Sequence, residues 1–195
     1  MQYINLLLLI LLLSSCATTE HIDTENIVSS GQSPLEQSES EKLRYKNAVS
    51  LLNKGRLDAA KEIFIEFKQD RPELAGPYAN LAVIALRNKN IAKAHQLVKL
   101  SLIRNPKLSQ ALNLVAYLEQ LKGDIESAEQ HYKEAIQSNN NNAIAHYNIA
   151  LLYDVYLQDI GSAIPHYKKY MSLTGNKDKN TSDWLEQIKR TNEKG

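Results

Sequence analysis

The stretch Leu112–Asn142, LNLVAYLEQLKGDIESAEQHYKEAIQSNNNN, decides the fold. Leu112, Val115, Ala116 and Leu118 recur at helical spacing, so one face of this segment is apolar. Lys122-Gly123-Asp124 then breaks the pattern with a turn. Ile125, Ala128, Tyr132 and Ala135 make a second helical stripe, and Asn139–Asn142 ends the unit. The segment reads as helix, tight turn, helix.

The same frame recurs on both sides of it. Ala48, Ala82, Ala116 and Ala150 are spaced by 34 residues each time. Ala60, Ala94 and Ala128 keep the same interval, and Ala163 follows after 35. Pro72 and Pro106 are 34 apart, and Gly55, Lys89 and Gly123 share one breaker phase. A fixed period of this length marks a stacked-repeat architecture. The alanines have a mechanical reason. Two antiparallel helices approach closely only where small residues cross, and the two alanine sets supply both sides of that crossing. Bulky side chains one turn later (Phe64, Val98, Tyr132, Tyr167) are placed to fill the gap to the next unit. The proline cannot continue the helical ladder, so it closes the second helix.

A 34-residue helix–turn–helix with these small, aromatic and proline positions resembles the tetratricopeptide repeat. The resemblance implies an all-α, right-handed helix–turn–helix solenoid of about four units over residues 41–175. Asn140 replaces the terminal proline in the third unit, and Glu119 stands where the family often has Tyr. The fourth unit carries one extra residue near Leu157–Ile160. Pentatricopeptide repeats use 35 residues and read RNA, and the 34-residue interval speaks against them. The last unit of a solenoid exposes an apolar face and needs a cap. Residues 176–195 are expected to supply one. Asp183 and Glu186 form a capping-box-like pair there, and Trp184, Leu185 and Ile188 make an apolar stripe.

The N-terminus reads as an address. Residues 4–13 are apolar apart from Asn5, a run too short for a bilayer span of about 20 residues and of signal-peptide length. Leu13-Ser14-Ser15-Cys16 follows, which resembles the lipobox of bacterial lipoproteins. The resemblance implies cleavage after residue 15 and a covalent lipid, palmitate included, on Cys16. Two or three acyl chains anchor firmly where one is marginal. Met1-Gln2-Tyr3 lacks the basic residue usual at the start of such signals. Ala17, in place of an inner-membrane-retaining Asp, leans toward the outer membrane, facing the periplasm. Residues 16–40 are rich in Thr, Ser, Glu and Gln with no sustained apolar period, so they read as a tether. A coil of the 24 residues after Cys16 spans roughly 27 Å.

Charge and composition exclude several classes. Residues 1–40 hold no Lys or Arg and five acids, so residues 41–195 carry all 23 basic residues against 17 acids. These charges are scattered along helical faces, as on solvated helices. Cys16 is the single cysteine, which rules out an intrachain disulfide framework or a Cys-rich metal site. His21, His95, His131, His146 and His166 are dispersed, with no HExxH and no pair at i, i+4. No Gly-rich phosphate loop or GxSxG elbow occurs. Neither a metal, a cofactor beyond the lipid, nor a catalytic residue is expected.

Stacked repeats curve, with first helices lining the concave face. In this frame the exposed first-helix positions are Tyr45, Asn80, Arg87, Asn113, Tyr117, Gln120, Tyr147, Asn148 and Asp154. Amides suit a peptide backbone, which both donates and accepts. Tyr offers apolar area with a polar tip. The expectation is a lipid-anchored scaffold that binds protein partners in a cell-envelope assembly of the pilus-biogenesis, secretion or peptidoglycan type. Pilotins of type IV pilus assembly and adaptors for peptidoglycan enzymes are similar in build. Two other classes stay open. A periplasmic enzyme with an unrecognised site predicts turnover. A binder of an anionic polymer, peptidoglycan or nucleic acid, predicts binding that falls steeply with salt.

Overall fold

The chain alternates helix and tight turn throughout the computed structural model, which describes residues 39–192. The signal segment, Cys16 and the tether as far as residue 38 lie outside the described residues. Four hairpins follow one another. They are α1 (Glu39–Asn53) with α2 (Leu57–Asp70), α3 (Ala75–Arg87) with α4 (Ile91–Arg104), α5 (Ser109–Lys122) with α6 (Ile125–Ser138), and α7 (Ala143–Leu151) with α8 (Ile160–Leu173). α9 (Lys179–Asn192) closes the array, and no strand occurs among the described residues. Each second helix packs on the next first helix, and the first helices α3, α5 and α7 also touch one another. The result is a helical solenoid of four units with a C-terminal helix, its first helices forming one continuous wall.

Both alanine sets do what their spacing demands. Ala48, Ala82, Ala116 and Ala150 on first helices, and Ala60, Ala94, Ala128 and Ala163 on second helices, are each 0 % exposed. Phe64, Val98, Tyr132 and Tyr167, one turn beyond the second set, are buried too. Side chains of this size contribute roughly 1.5–3 kcal/mol each when removed from water. Pro72 and Pro106 sit just past the ends of α2 and α4. α6 stops at the equivalent place without a proline, because Asn139 accepts from the Asn141 N–H and the Asn142 side chain accepts from the Ala145 N–H to start α7.

The hairpin turns repeat one backbone device. Gly55, Lys89, Gly123 and Gln158 all adopt left-handed φ, at 75°, 59°, 84° and 53°. Asn90, Asp124 and Asp159 follow one residue later, and each side chain caps the next helix by accepting an N–H three residues on. The extra residue of the fourth unit is absorbed ahead of this turn. α7 widens into a π-helical segment, Leu152–Leu157, so the turn geometry is kept and the helix takes the insertion.

The C-terminal helix differs from expectation at its start. Asp183 and Glu186 do not cap it. Gly175 and Asn176 turn the chain at once after α8, at φ 67° and 58°, so Asp178 is the acid met at the helix start. Its carboxylate accepts from the Thr181 N–H at 3.2 Å and the Thr181 hydroxyl at 2.8 Å. Trp184 packs on Tyr167, ring centroids 4.5 Å apart, and Leu185 joins the same cluster.

A Cβ placed on Gly123 would meet nothing within 4 Å, so its glycine is required by φ alone. Gly123→Ala is therefore expected to lower stability by about 1–2 kcal/mol, and Lys89→Gly to raise it by up to about 1 kcal/mol. Urea denaturation of the two variants reads both signs.

Candidate protein-binding face

The wall of first helices is a surface to which all four units contribute equivalent positions. The structure sorts the expected residues on it into three groups.

Tyr45, Asn80 and Asn113 are buried, contrary to the expectation of exposure. First helices of neighbouring units approach closely enough that these side chains bond each other before they reach solvent. The Asn80 amide donates to the Tyr45 hydroxyl at 2.7 Å, and Gln110 donates to the Asn80 carbonyl oxygen at 2.9 Å. One buried amide thus joins three consecutive units. Burial pushes the Tyr45 hydroxyl well above its usual range, against the pull of the Asn80 bond. Its ring stands edge-on to Phe64 and Phe67, at 5.6 and 5.2 Å.

Asn148, Gln120, Asp154 and Tyr147 are part-buried and already partnered. Asn148 donates to Asn113 at 3.1 Å, a second link between first helices. Tyr132 donates to Gln120 at 2.8 Å, and Tyr167 donates to Asp154 at 3.2 Å. These two bonds are repeat equivalents from second helix to first. Burial raises the Asp154 carboxyl, and the Tyr167 bond works against that rise. Tyr147 packs between Tyr167 and Tyr170 at 5.9 and 4.8 Å, and burial, then Asp178, pushes its hydroxyl to about 12.

Arg87 and Tyr117 remain accessible. The Arg87 guanidinium donates to the Leu52 carbonyl at 2.6 Å across the unit boundary, and burial lowers its pKa. Tyr117 is half-buried on α5, with its hydroxyl raised by burial first and Tyr156 second. Three apolar side chains outside the expected set are exposed on the same elements. Leu121, Ile144 and Val155 are exposed large apolar residues on α5, α7 and the π segment. Arg87, Leu121 and Val155 are 34 apart and form one row. That shared phase is the signal in the sequence by which Leu121 and Val155 are found.

Two further features have no counterpart in the sequence reading. His146 and His166 meet across the fourth hairpin, Nδ1 to Nδ1 at 2.9 Å. An open cavity of about 540 Å³ lies on α4 against α5, lined by His95, Gln96, Val98, Lys99, Leu102, Ile103 and Val115. Among the described residues no three His, Cys, Asp or Glu side chains converge in a way that would hold a metal ion.

Residues 109–142, the third unit, match the family model for the tetratricopeptide repeat. Solved structures extend the likeness over most of the chain. PilF of Pseudomonas aeruginosa superposes with a TM-score of 0.62 at 18% identity, covering 78% of this chain and 70% of that one. TTC0263, a thermophilic TPR protein in Thermus thermophilus, gives 0.58 at 23% identity, covering 68% and 74%. The fold is a tetratricopeptide-repeat solenoid. The first TPR of Spaghetti (RPAP3), solved bound to the HSP90 peptide SRMEEVD, gives 0.51 at 16% identity, covering 62% and 96%. A search of curated proteins gives no match.

The solenoid's buried amide link has a measurable weight. Asn80→Ala leaves the buried Tyr45 hydroxyl without its donor and is expected to cost about 1–3 kcal/mol. The double variant Asn80→Leu with Tyr45→Phe removes both polar groups and is expected to recover part of that loss. A double-mutant cycle by urea denaturation checks the pair.

Proposed function

We propose that this protein is a membrane-tethered scaffold that binds protein partners along its first-helix face. The observation that carries the reading is the composition of that face. Its amides are largely spent on linking units, while Tyr117, Leu121, Ile144 and Val155 leave apolar area in reach of solvent beside Arg87. Tyr and Arg are enriched among the residues that carry binding energy at protein interfaces, and neighbouring apolar contacts help exclude water from them. The TPR structure bound to an HSP90 peptide is a precedent in the same fold.

The tether belongs to the same proposal. Cys16 carries the lipid, residues 17–38 span the distance from the membrane, and the solenoid faces the periplasm. The outer membrane is the favoured site, from Ala17 after the cysteine. The partner belongs to a cell-envelope assembly such as a pilus, secretion or peptidoglycan machine.

Two experiments test the parts separately. Full-length protein expressed in a bacterial host with radiolabelled palmitate is expected to take up label and sediment with membranes. Cys16→Ser is expected to lose both. Label in the Ser variant would remove the anchor from the proposal. For the face, partners are captured on the lipidated protein from detergent-extracted envelopes. Tyr117→Ala with Leu121→Ala is expected to weaken capture by about tenfold or more, ~1.4 kcal/mol or above, with an unchanged circular-dichroism spectrum. Unchanged capture would place the interface elsewhere, and capture lost steeply with salt would favour an anionic polymer.

A further inference from the structure

The fourth hairpin holds a pair of histidines in contact between its two helices. His146 lies on α7 and is buried, and His166 lies on α8 and is half-buried. Their Nδ1 atoms are 2.9 Å apart, a hydrogen-bond distance, and their ring centroids 5.1 Å. The other nitrogen of His146 settles which atom donates. Its Nε2 stands 3.2 Å from the Asn140 carbonyl, which only accepts. Nε2 therefore carries the proton in neutral His146, and its Nδ1 is a lone pair. His166 must donate from Nδ1.

The third unit shows what is different here. His131, the repeat equivalent of His166, places its Nδ1 2.7 Å from the Glu119 carboxylate. In the fourth unit the position of Glu119 is taken by Tyr153, whose ring stacks on His166 at 6.0 Å. The carboxylate that would welcome a proton is replaced by an aromatic face and a second imidazole. The surrounding charges agree. Lys133 from α6 and Lys169 from α8 bear on the pair. The nearby Glu129 carboxylate on α6 is already engaged by Lys133 at 2.6 Å and the Tyr153 hydroxyl at 2.8 Å. Asp154, farther along the π segment, is held by the Tyr167 hydroxyl.

We propose that the His146–His166 contact is a proton-operated clasp, which neutral imidazoles close and two protons open, releasing the C-terminal end of the solenoid. One proton is accommodated on Nε2 of His166, whose Nδ1–H goes on donating to the His146 lone pair. A second proton sets two N–H groups and two positive charges head to head at a distance only one hydrogen fits. The strain is passed outward through neighbouring side chains. Tyr147 adjoins His146 and packs on Tyr167 and Tyr170, and Tyr167 carries Trp184 of α9.

Burial, then the other imidazole and Lys169, brings His146 from its ordinary 6.5 to about 4, while the Asn140 carbonyl resists. Burial, then Lys133, lowers His166 as well. Both folded values lie below the unfolded one. Stability is therefore full above about pH 6.5 and falls as the pH drops through the window toward about 4.

Trp184 is the only tryptophan and reports on this end of the molecule. Its fluorescence is followed from pH 7.5 to about 3.5 in the full chain, alongside far-UV circular dichroism. The expected result is a Trp184 emission change below pH 6.5 while the helical signal persists. His146→Leu with His166→Phe, an apolar pair, is expected to flatten it. A flat wild-type trace, or the same change in the double variant, overturns the clasp. Imidazole NMR titration of the wild type stands whether or not the variant folds. Two coupled steps below 6.5 are expected, and either histidine titrating at or above 6.5 overturns the proposal.

Discussion

Everything in this molecule depends on how closely two helices cross. The eight alanines of the crossing positions leave no exposed surface at all, so the two helices of each hairpin close over them. Only then can a bulky side chain one turn further on reach the neighbouring unit. A larger residue at any of these positions would push the hairpin apart, and overpacking of this kind is itself destabilising. Because the crossing recurs at nearly one interval, the units stack by a nearly constant step. A constant step is what turns four local hairpins into one wall.

That wall is rigid because its polar groups answer one another. A buried amide without a partner is costly, so Asn80 cannot slide along Tyr45 and Gln110 without losing what its burial requires. The links Asn80–Tyr45, Asn80–Gln110, Asn148–Asn113 and Arg87–Leu52 thereby set the register between units. On the proposed binding face the result is a division of labour. Amides hold the frame, and the accessible aliphatic and aromatic side chains are free to meet something else. A frame that is already ordered loses little entropy when it binds.

The fourth unit is where the repetition is broken. One added residue is taken up as a π-helical turn, which keeps the left-handed turn residue and the Asp159 cap in place at the expense of the helix before them. The same unit gathers His146 and His166 and a run of aromatics, Tyr147, Tyr167 and Tyr170, that packs on to Trp184 of α9. It alone bears the closing helix, which packs on α8.

The helices, their turns and the buried alanines were legible in the sequence, because a 34-residue period and a 3.6-residue stripe are local properties that no distant contact overrides. The positions of Gly55, Lys89 and Gly123 announced the turns for the same reason. The inner face was legible only as a phase. Phase told which side Tyr45, Asn80 and Asn113 occupy, but their depth depends on how near the next unit stands, and that distance brought them together under cover instead of into solvent. The cap of α9 moved from Asp183 to Asp178 because a left-handed pair after α8 fixed where the chain was free to restart. The meeting of His146 and His166, twenty residues apart, belongs to the tertiary structure alone. No repeat phase relates them, and only the packing of α7 on α8 decides that one N–H and one lone pair must share the gap.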